Sequence, residues 1–264
     1  MIRRAEVDAA TRAAPVWVAG VVQANIGNVD KEIALAGDAN GIINTLRRYG
    51  ELSDQLAKAV ARPEIIVWPE TAYPLAWAAH RSATDDSVDA ELTTYARERK
   101  LPLLFGGYDR KAGTEYNSAI LLPPSGEVAI YHKRILIPFG EYVPVLGRAR
   151  FGTGDSPRTL DAPRASGAAV RLGLIICYEA LFTDHAAAAV ADGARALVNL
   201  TNDSWFVSGA EKRLHLVMAA LRSIETRRAQ VRATNTGTSA LILPTGELVG
   251  ESVDDTAAAL RYEV

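Results

Sequence analysis

Apolar residues along this chain follow two rhythms. Unbroken runs of about four to eight residues, closed by Gly, Pro or a polar side chain, read as buried strands; longer stretches with apolar positions three to four apart read as helices packed on them. The runs at 16–24, 64–68, 102–108, 116–122, 127–132, 168–177, 196–202, 231–234, 239–243 and 247–252 predict strands. Helical spacing predicts a helix from a turn at 25–30 to residue 62, and others over 87–100, 183–192 and 211–228. In the first of these Ile42, Leu46, Tyr49, Leu56 and Val60 share a face, Gly50 weakens the middle, and Pro63 disfavours α geometry in the residue before it. In the last, Leu214, Val217, Met218, Leu221 and Ile224 line one side.

The order of these elements narrows the fold. Strands and helices alternate at first, but 116–122 and 127–132 are joined by Pro-Pro-Ser-Gly, and Pro244, Thr245 and Gly246 repeat that hairpin chemistry. Inserted hairpins among βα units predict an α/β sandwich of mixed sheets flanked by helices, not a doubly wound dinucleotide fold. Residues 1–14 read as a charged, Ala-rich arm, and 15–264 as a single domain. The stretch 138–166, rich in Gly, Pro and Arg, reads as a long ordered loop whose aromatics Phe139, Tyr142 and Phe151 mark it as functional.

Composition excludes several classes of function. At 264 residues with 48% hydrophobic and 23% charged side chains, the chain has an ordinary globular balance. A net charge of -2 points away from a nucleic-acid partner, although Arg222, Arg227, Arg228 and Arg232 gather basic charge locally. A single cysteine allows no intrachain disulfide and suits a reduced compartment. His80, His132, His185 and His215 are scattered without zinc-site spacing, so no metal is expected. No P-loop, G-x-G-x-x-G or G-x-S-x-G motif occurs, so no nucleotide, other cofactor or serine-hydrolase elbow is expected. Glu6 and Asp8 interrupt the basic N-terminus, against a signal peptide, and no stretch approaches the roughly 20 apolar residues that span a bilayer.

The candidate chemistry gathers around 172–184, LGLIICYEALFTD, where an apolar run ends on Cys177, the only cysteine. A strand passing into a helix there puts the sulfur beside unpaired amides, which would hold it as a thiolate and face an incoming carbonyl oxygen. A lone cysteine in such a run is equally what a buried structural thiol looks like. Glu70 is delivered at the end of EIIVWP, where a helix cap is the bland alternative, and Lys133 at the end of EVAIYH, where a solvated charge is. Together the three have chemical sense. A thiol needs a base, the attacked carbonyl needs cations or N–H donors as its oxygen turns negative, and the leaving group needs an acid.

The motifs VWPETAYP, YHKRILIPFGEYVP, LIICYEALF and NLTNDSWF resemble, in order and spacing, those of the nitrilase or carbon-nitrogen hydrolase superfamily, with flanks similar to the catalytic domain of bacterial apolipoprotein N-acyltransferases. The resemblance runs from about residue 16 to the C-terminus. It implies an αββα sandwich, Glu70 as general base and acid, Cys177 as nucleophile, and Lys133 with the Tyr178 backbone N–H as oxyanion donors. Glu141 and Glu179 match supporting carboxylates; Phe139, Tyr142, Trp205, Phe206 and His215 match positions around the substrate pocket. The implied reaction is acyl transfer through a thioester, from a phospholipid to the N-terminal amine of a lipoprotein.

Two departures qualify that expectation. The acyltransferases carry transmembrane helices on both sides of this domain, and this sequence has neither. The chain is thus either an excised domain attached to a membrane surface on the periplasmic side, or a solitary soluble, cytoplasmic relative. Val207 stands where the acyltransferases have Gly, and GAEKRLH lacks their Pro and Gln, which touches substrate choice. The alternatives are a soluble amidase acting on a small carbon-nitrogen substrate and a binding module that has kept the fold.

Overall fold

Strand β1 (Val18–Gln23) shows how the chain is layered: Ala19 and Val21 pack into one apolar core and Val22 into another. A strand apolar on both faces has to be covered on both. The structure, a computed structural model, describes residues 2–14, 16–79, 83–143, 148–155, 158–165 and 167–264. In it β1 pairs in parallel with β2 (Ile65–Val67), which pairs with β3 (Leu103–Lys111); β4 (Thr114–Leu122) and β5 (Ala129–His132) continue antiparallel. A final strand, β14 (Ala258–Glu263), closes the other edge, giving a six-stranded sheet in the order β14–β1–β2–β3–β4–β5.

The second six-stranded sheet is built alike. β9 (Val170–Ile176), β10 (Ala196–Thr201) and β11 (Gln230–Thr234) are parallel, with β8 (Thr159–Ala162), β12 (Ala240–Ile242) and β13 (Leu248–Val249) antiparallel at the edges. The sheets meet face to face: Ala19, Val21, Val67 and Leu104 share one core with Leu174, Ile176, Val198 and Val231. On the outside of the first sheet, α2 (Asn28–Leu35), α3 (Ala39–Ala57) and α4 (Ala83–Arg99) pack through Ala34, Ile42, Tyr49, Leu56, Val88 and Leu92. On the outside of the second, α5 (Thr183–Ala191) and α6 (Gly209–Thr226) pack through Ala186, Leu216, Ala219 and Ala220. Gly173 makes this approach close, since a Cβ there would stand 2.9–3.0 Å from Leu197, Ala189 and Ala194. The expected mixed sandwich is therefore four layers, αββα.

Several boundaries differ from expectation, each for a local reason. The helix read as continuous to residue 62 breaks at Gly37, whose φ of +88° suits no other residue, and restarts where the Asp38 carboxylate accepts the Gly41 amide at 2.7 Å. Gly50 lies undisturbed inside α3, which ends at Ala57. β3 and β4 run on to a tight turn at Ala112 and Gly113, both at positive φ, the backbone a two-residue hairpin requires. β14 escaped the apolar pattern because its exposed and half-buried residues edge the sheet. The 1–14 arm forms a helix, α1 (Ile2–Ala13), tied by Arg4 to Glu247 at 3.0 Å. The 138–166 loop contains β8 and a small hairpin, β6 (Tyr142–Val143) with β7 (Arg148–Ala149). His80 lies outside the described residues.

Candidate active site

Glu70 follows β2 on a turn held against β3. The Gly106 amide donates to the Pro69 carbonyl at 3.1 Å, and the Gly106 carbonyl accepts the Tyr73 amide at 2.9 Å. A Cβ on Gly106 would lie 2.5 Å from Glu70 Cα, so only glycine admits this approach. The carboxylate is buried. Its Oε1 accepts from Lys133 Nζ at 3.3 Å and Asn117 Nδ2 at 2.8 Å; its Oε2 accepts the Asn202 amide at 3.1 Å.

Lys133 follows β5 directly and has no exposed surface. An ammonium withdrawn from water needs matched partners, and it has two: Glu70, and Glu141 Oε1 at 2.9 Å. Glu141 is itself aimed by the Ile137 amide, 2.8 Å from Oε2. Burial pulls the Lys133 ammonium toward deprotonation, but Glu70, the Cys177 sulfur and Glu141 outweigh it and hold the proton above the ordinary lysine range. The Lys133 backbone is pinned as well, accepting the Gly154 amide at 2.8 Å; a Cβ on Gly154 would meet the His132 carbonyl oxygen at 2.2 Å.

Cys177 ends β9 from the opposite sheet, at φ +48°, a left-handed conformation uncommon outside glycine. It opens a 3₁₀ turn (Cys177–Leu181) ahead of α5, so the corner is tighter than the expected entry into an α-helix. The thiol is buried. Burial first, then the Glu70 carboxylate, push it up to about 12, against the Lys133 ammonium and a hydrogen bond from Thr201. This corrects the expected resting thiolate: the amides of one short turn do not offset desolvation beside a carboxylate. Glu70 and Lys133 are the charged groups acting most strongly on the sulfur, so residues 63 and 44 positions apart from their neighbours in the triad converge on it.

Supporting groups hold the corner from behind. Glu179, fully buried, accepts the Ile176 amide at Oε2, and at Oε1 the Tyr131 hydroxyl and the amides of Arg134 and Ile135. His215 is within hydrogen-bond reach of Asp203 Oδ1 at 2.8 Å and the Cys177 carbonyl oxygen at 3.3 Å. Burial raises Asp203, but the Arg232 guanidinium at 2.8 Å and His215 hold its carboxyl below the usual range. Tyr178 is half-buried, its ring edge-on to Phe182. Of the other residues expected around the pocket, Phe139 and Trp205 are each 74% exposed, and Val207 is fully exposed. Tyr142 packs on Tyr108, Leu136 and Phe151, and Phe206 lies edge-on to His215. The basic cluster dissolves: Arg222 and Arg232 are buried, paired with Glu225 and Asp203.

Sequence reasoning passed over Asn117, Thr201, Asn202 and Asp203. The last three lie inside NLTNDSWF, which could have flagged them; Asn117 is marked only by its strand position opposite Lys133. Among the described residues no group of His, Cys, Asp and Glu is arranged to hold a metal ion. The arrangement can deprotonate a thiol and neutralise a developing oxyanion.

Apolipoprotein N-acyltransferases of Bdellovibrio bacteriovorus and Geobacter metallireducens are 36% and 33% identical over 89% and 90% of this chain. The chain spans 46% of each, about half the length of these relatives. An amidase from a Nesterenkonia species shares the fold, with a TM-score of 0.69 at 20% identity, over 94% of this chain and 90% of that one. A Glu-to-Gln variant of the Nesterenkonia amidase carries the acetamide moiety of fluoroacetamide on its active-site cysteine (TM-score 0.69, 20% identity, 94% and 90% coverage). The sequence profile of the carbon-nitrogen hydrolase family matches residues 18–262, and with these relatives it establishes that the chain belongs to that family.

Proposed function

We propose that this domain transfers a fatty acyl group, taking it from a phospholipid ester onto Cys177 and passing it to the N-terminal amine of a lipoprotein. The Cys177 sulfur attacks the ester carbonyl while its hydrogen passes to Glu70; the S–C bond forms and the carbonyl π electrons move to oxygen. Lys133 and the Tyr178 backbone N–H neutralise that oxygen. The C–O bond then breaks, the alcohol leaves with the proton from Glu70, and a thioester remains. An amine repeats the sequence: N–C forms, C–S breaks, and its proton returns through Glu70 to sulfur.

The observation that carries the covalent reading is the buried Glu70–Lys133–Glu141 ion cluster acting on the Cys177 thiol. A thiol pushed up to about 12 gains little as a free nucleophile, so a built-in base is what makes it reactive. The lipid donor is supported by apolar side chains left in water within a few residues of that cluster along the chain. Phe139 lies two residues from Glu141, and Trp205 and Val207 a few residues from Asn202, which binds Glu70. Exposed apolar groups together mark contact with another apolar phase, and the relatives named apolipoprotein N-acyltransferase favour the same choice.

Intact-mass measurement after incubation with phosphatidylethanolamine vesicles tests this. The expected result is a fatty acyl adduct on the wild-type chain and none on Cys177→Ala of equal thermal stability. Hydrolysis of small amides without a lipid adduct would favour the amidase alternative; neither adduct nor hydrolysis would leave a binding module.

A further inference from the structure

Resting on the reading that Glu70 exchanges a proton with Cys177, we propose that Asn117 is a positioning residue that fixes which oxygen of Glu70 carries that proton. Asn117 lies on β4 directly across from Lys133: the Lys133 amide donates to the Asn117 carbonyl at 2.8 Å, next to the Ser118–His132 pair. Residues opposite one another on adjacent strands share a face, so amide and ammonium reach the same two carboxylates. Asn117 Nδ2 donates to Glu70 Oε1 at 2.8 Å and Glu141 Oε1 at 3.0 Å. Lys133 Nζ donates to those same two oxygens at 3.3 and 2.9 Å. Asn117 Oδ1 is buried without a hydrogen-bond partner among the described residues, so the side chain is oriented by its donors alone.

The two oxygens of Glu70 are thereby made unequal. Oε1 meets two donors, from Asn117 and Lys133, whereas Oε2 meets one, the Asn202 amide. A hydrogen on Oε1 would collide with those of Asn117 and Lys133; on Oε2 it leaves both bonds intact. Asn202 follows β10, which pairs with β9 so that Leu200 lies opposite Ile176, the residue before Cys177; the Asn202 amide therefore draws Oε2 toward the sheet that carries the sulfur. The thiol hydrogen passes to Oε2 as the S–C bond forms and leaves from Oε2 to the departing oxygen or nitrogen as its bond to carbon breaks. While Lys133 leans toward the oxyanion, Asn117 keeps both carboxylates bridged.

The test is the burst of p-nitrophenolate from p-nitrophenyl acetate and p-nitrophenyl dodecanoate, followed against pH, with adducts weighed by intact mass. A donor to a carboxylate favours its ionised form, so without Asn117 the loss of acylation on acidification sets in at higher pH. Asn117→Ala is expected to slow acylation on the order of tenfold to a hundredfold, with little change in KM, and to move that acid limb upward. Asn117→Asp, equal in shape but adding a third carboxylate, should move it further still. An acid limb unmoved in both variants overturns the proposal even if rates fall, because a purely structural loss scales the profile without shifting it. If the wild-type burst requires Cys177 and Glu70 but Asn117→Ala matches wild type, the Asn117 assignment fails alone. If the wild-type chain gives no burst with either ester, the covalent reading fails and takes this one with it.

Discussion

Glu179 accepts the Arg134 amide at 2.7 Å, a bond from the Cys177 corner to the residue that follows Lys133. The same carboxylate accepts the Ile176 amide at 2.7 Å, one residue before the nucleophile. The backbones around Cys177 and Lys133 are therefore set relative to each other through one fully buried side chain.

Glu179→Gln tests that tie. One of its oxygens would become an NH₂ group facing hydrogens of Ile176 or of Tyr131, Arg134 and Ile135, leaving buried donors unpaired. The expected cost is about 1–3 kcal/mol in urea unfolding. Acylation should fall by more than the remaining folded fraction accounts for; a variant with wild-type stability and activity would show that the tie is idle.

The raised thiol has a pH signature. Cys177 reactivity toward iodoacetamide should keep climbing above about pH 10, where an ordinary cysteine has nearly levelled off, because burial and Glu70 push the folded thiol from 9.0 up to about 12. The linked stability has a definite sign. The unfolded thiol loses its proton first, so the contribution is fully present below about 9 and is lost as pH rises toward 12. Unfolding of wild type and Cys177→Ala compared across that window should show wild type losing ground.

Gly106→Ala places a methyl 2.5 Å from Glu70 Cα and 2.6 Å from the Pro69 carbonyl oxygen, both backbone atoms that cannot step aside. About 1–3 kcal/mol of destabilisation is expected from the overlap. Acylation should drop further, since Glu70 moves with its turn. Calorimetry beside burst kinetics separates the two effects, and an active Gly106→Ala chain would mean that Glu70 tolerates displacement.

Trp205→Ser with Val207→Ser removes apolar surface that is 74% and 100% exposed and so should leave stability unchanged. Affinity for phosphatidylethanolamine vesicles in flotation is expected to weaken about tenfold, while the burst with soluble p-nitrophenyl acetate stays as it was. Equal vesicle binding by both chains would remove these side chains from the lipid reading.

What could be read from the chain depended on range. Leu172, Leu174 and Ile176 announce a buried strand because local apolarity is enough. Residues 258–263 do not, because β14 gains its place only by pairing with β1, at the far end of the chain. Glu70, Lys133 and Cys177 were visible through their motifs, but Asn117 was not: its role comes from register with Lys133 across a hairpin. The expected thiolate failed for a related reason. Local backbone geometry argued for charge on sulfur, while burial and Glu70, both supplied by distant packing, argued more strongly against it.

The site's membership divides between the sheets: Glu70, Asn117 and Lys133 belong to one, Cys177 and Asn202 to the other. Neither sheet alone brings Glu70 and Lys133 to the Cys177 sulfur, so their influence on that thiol exists only once the two sheets have closed face to face.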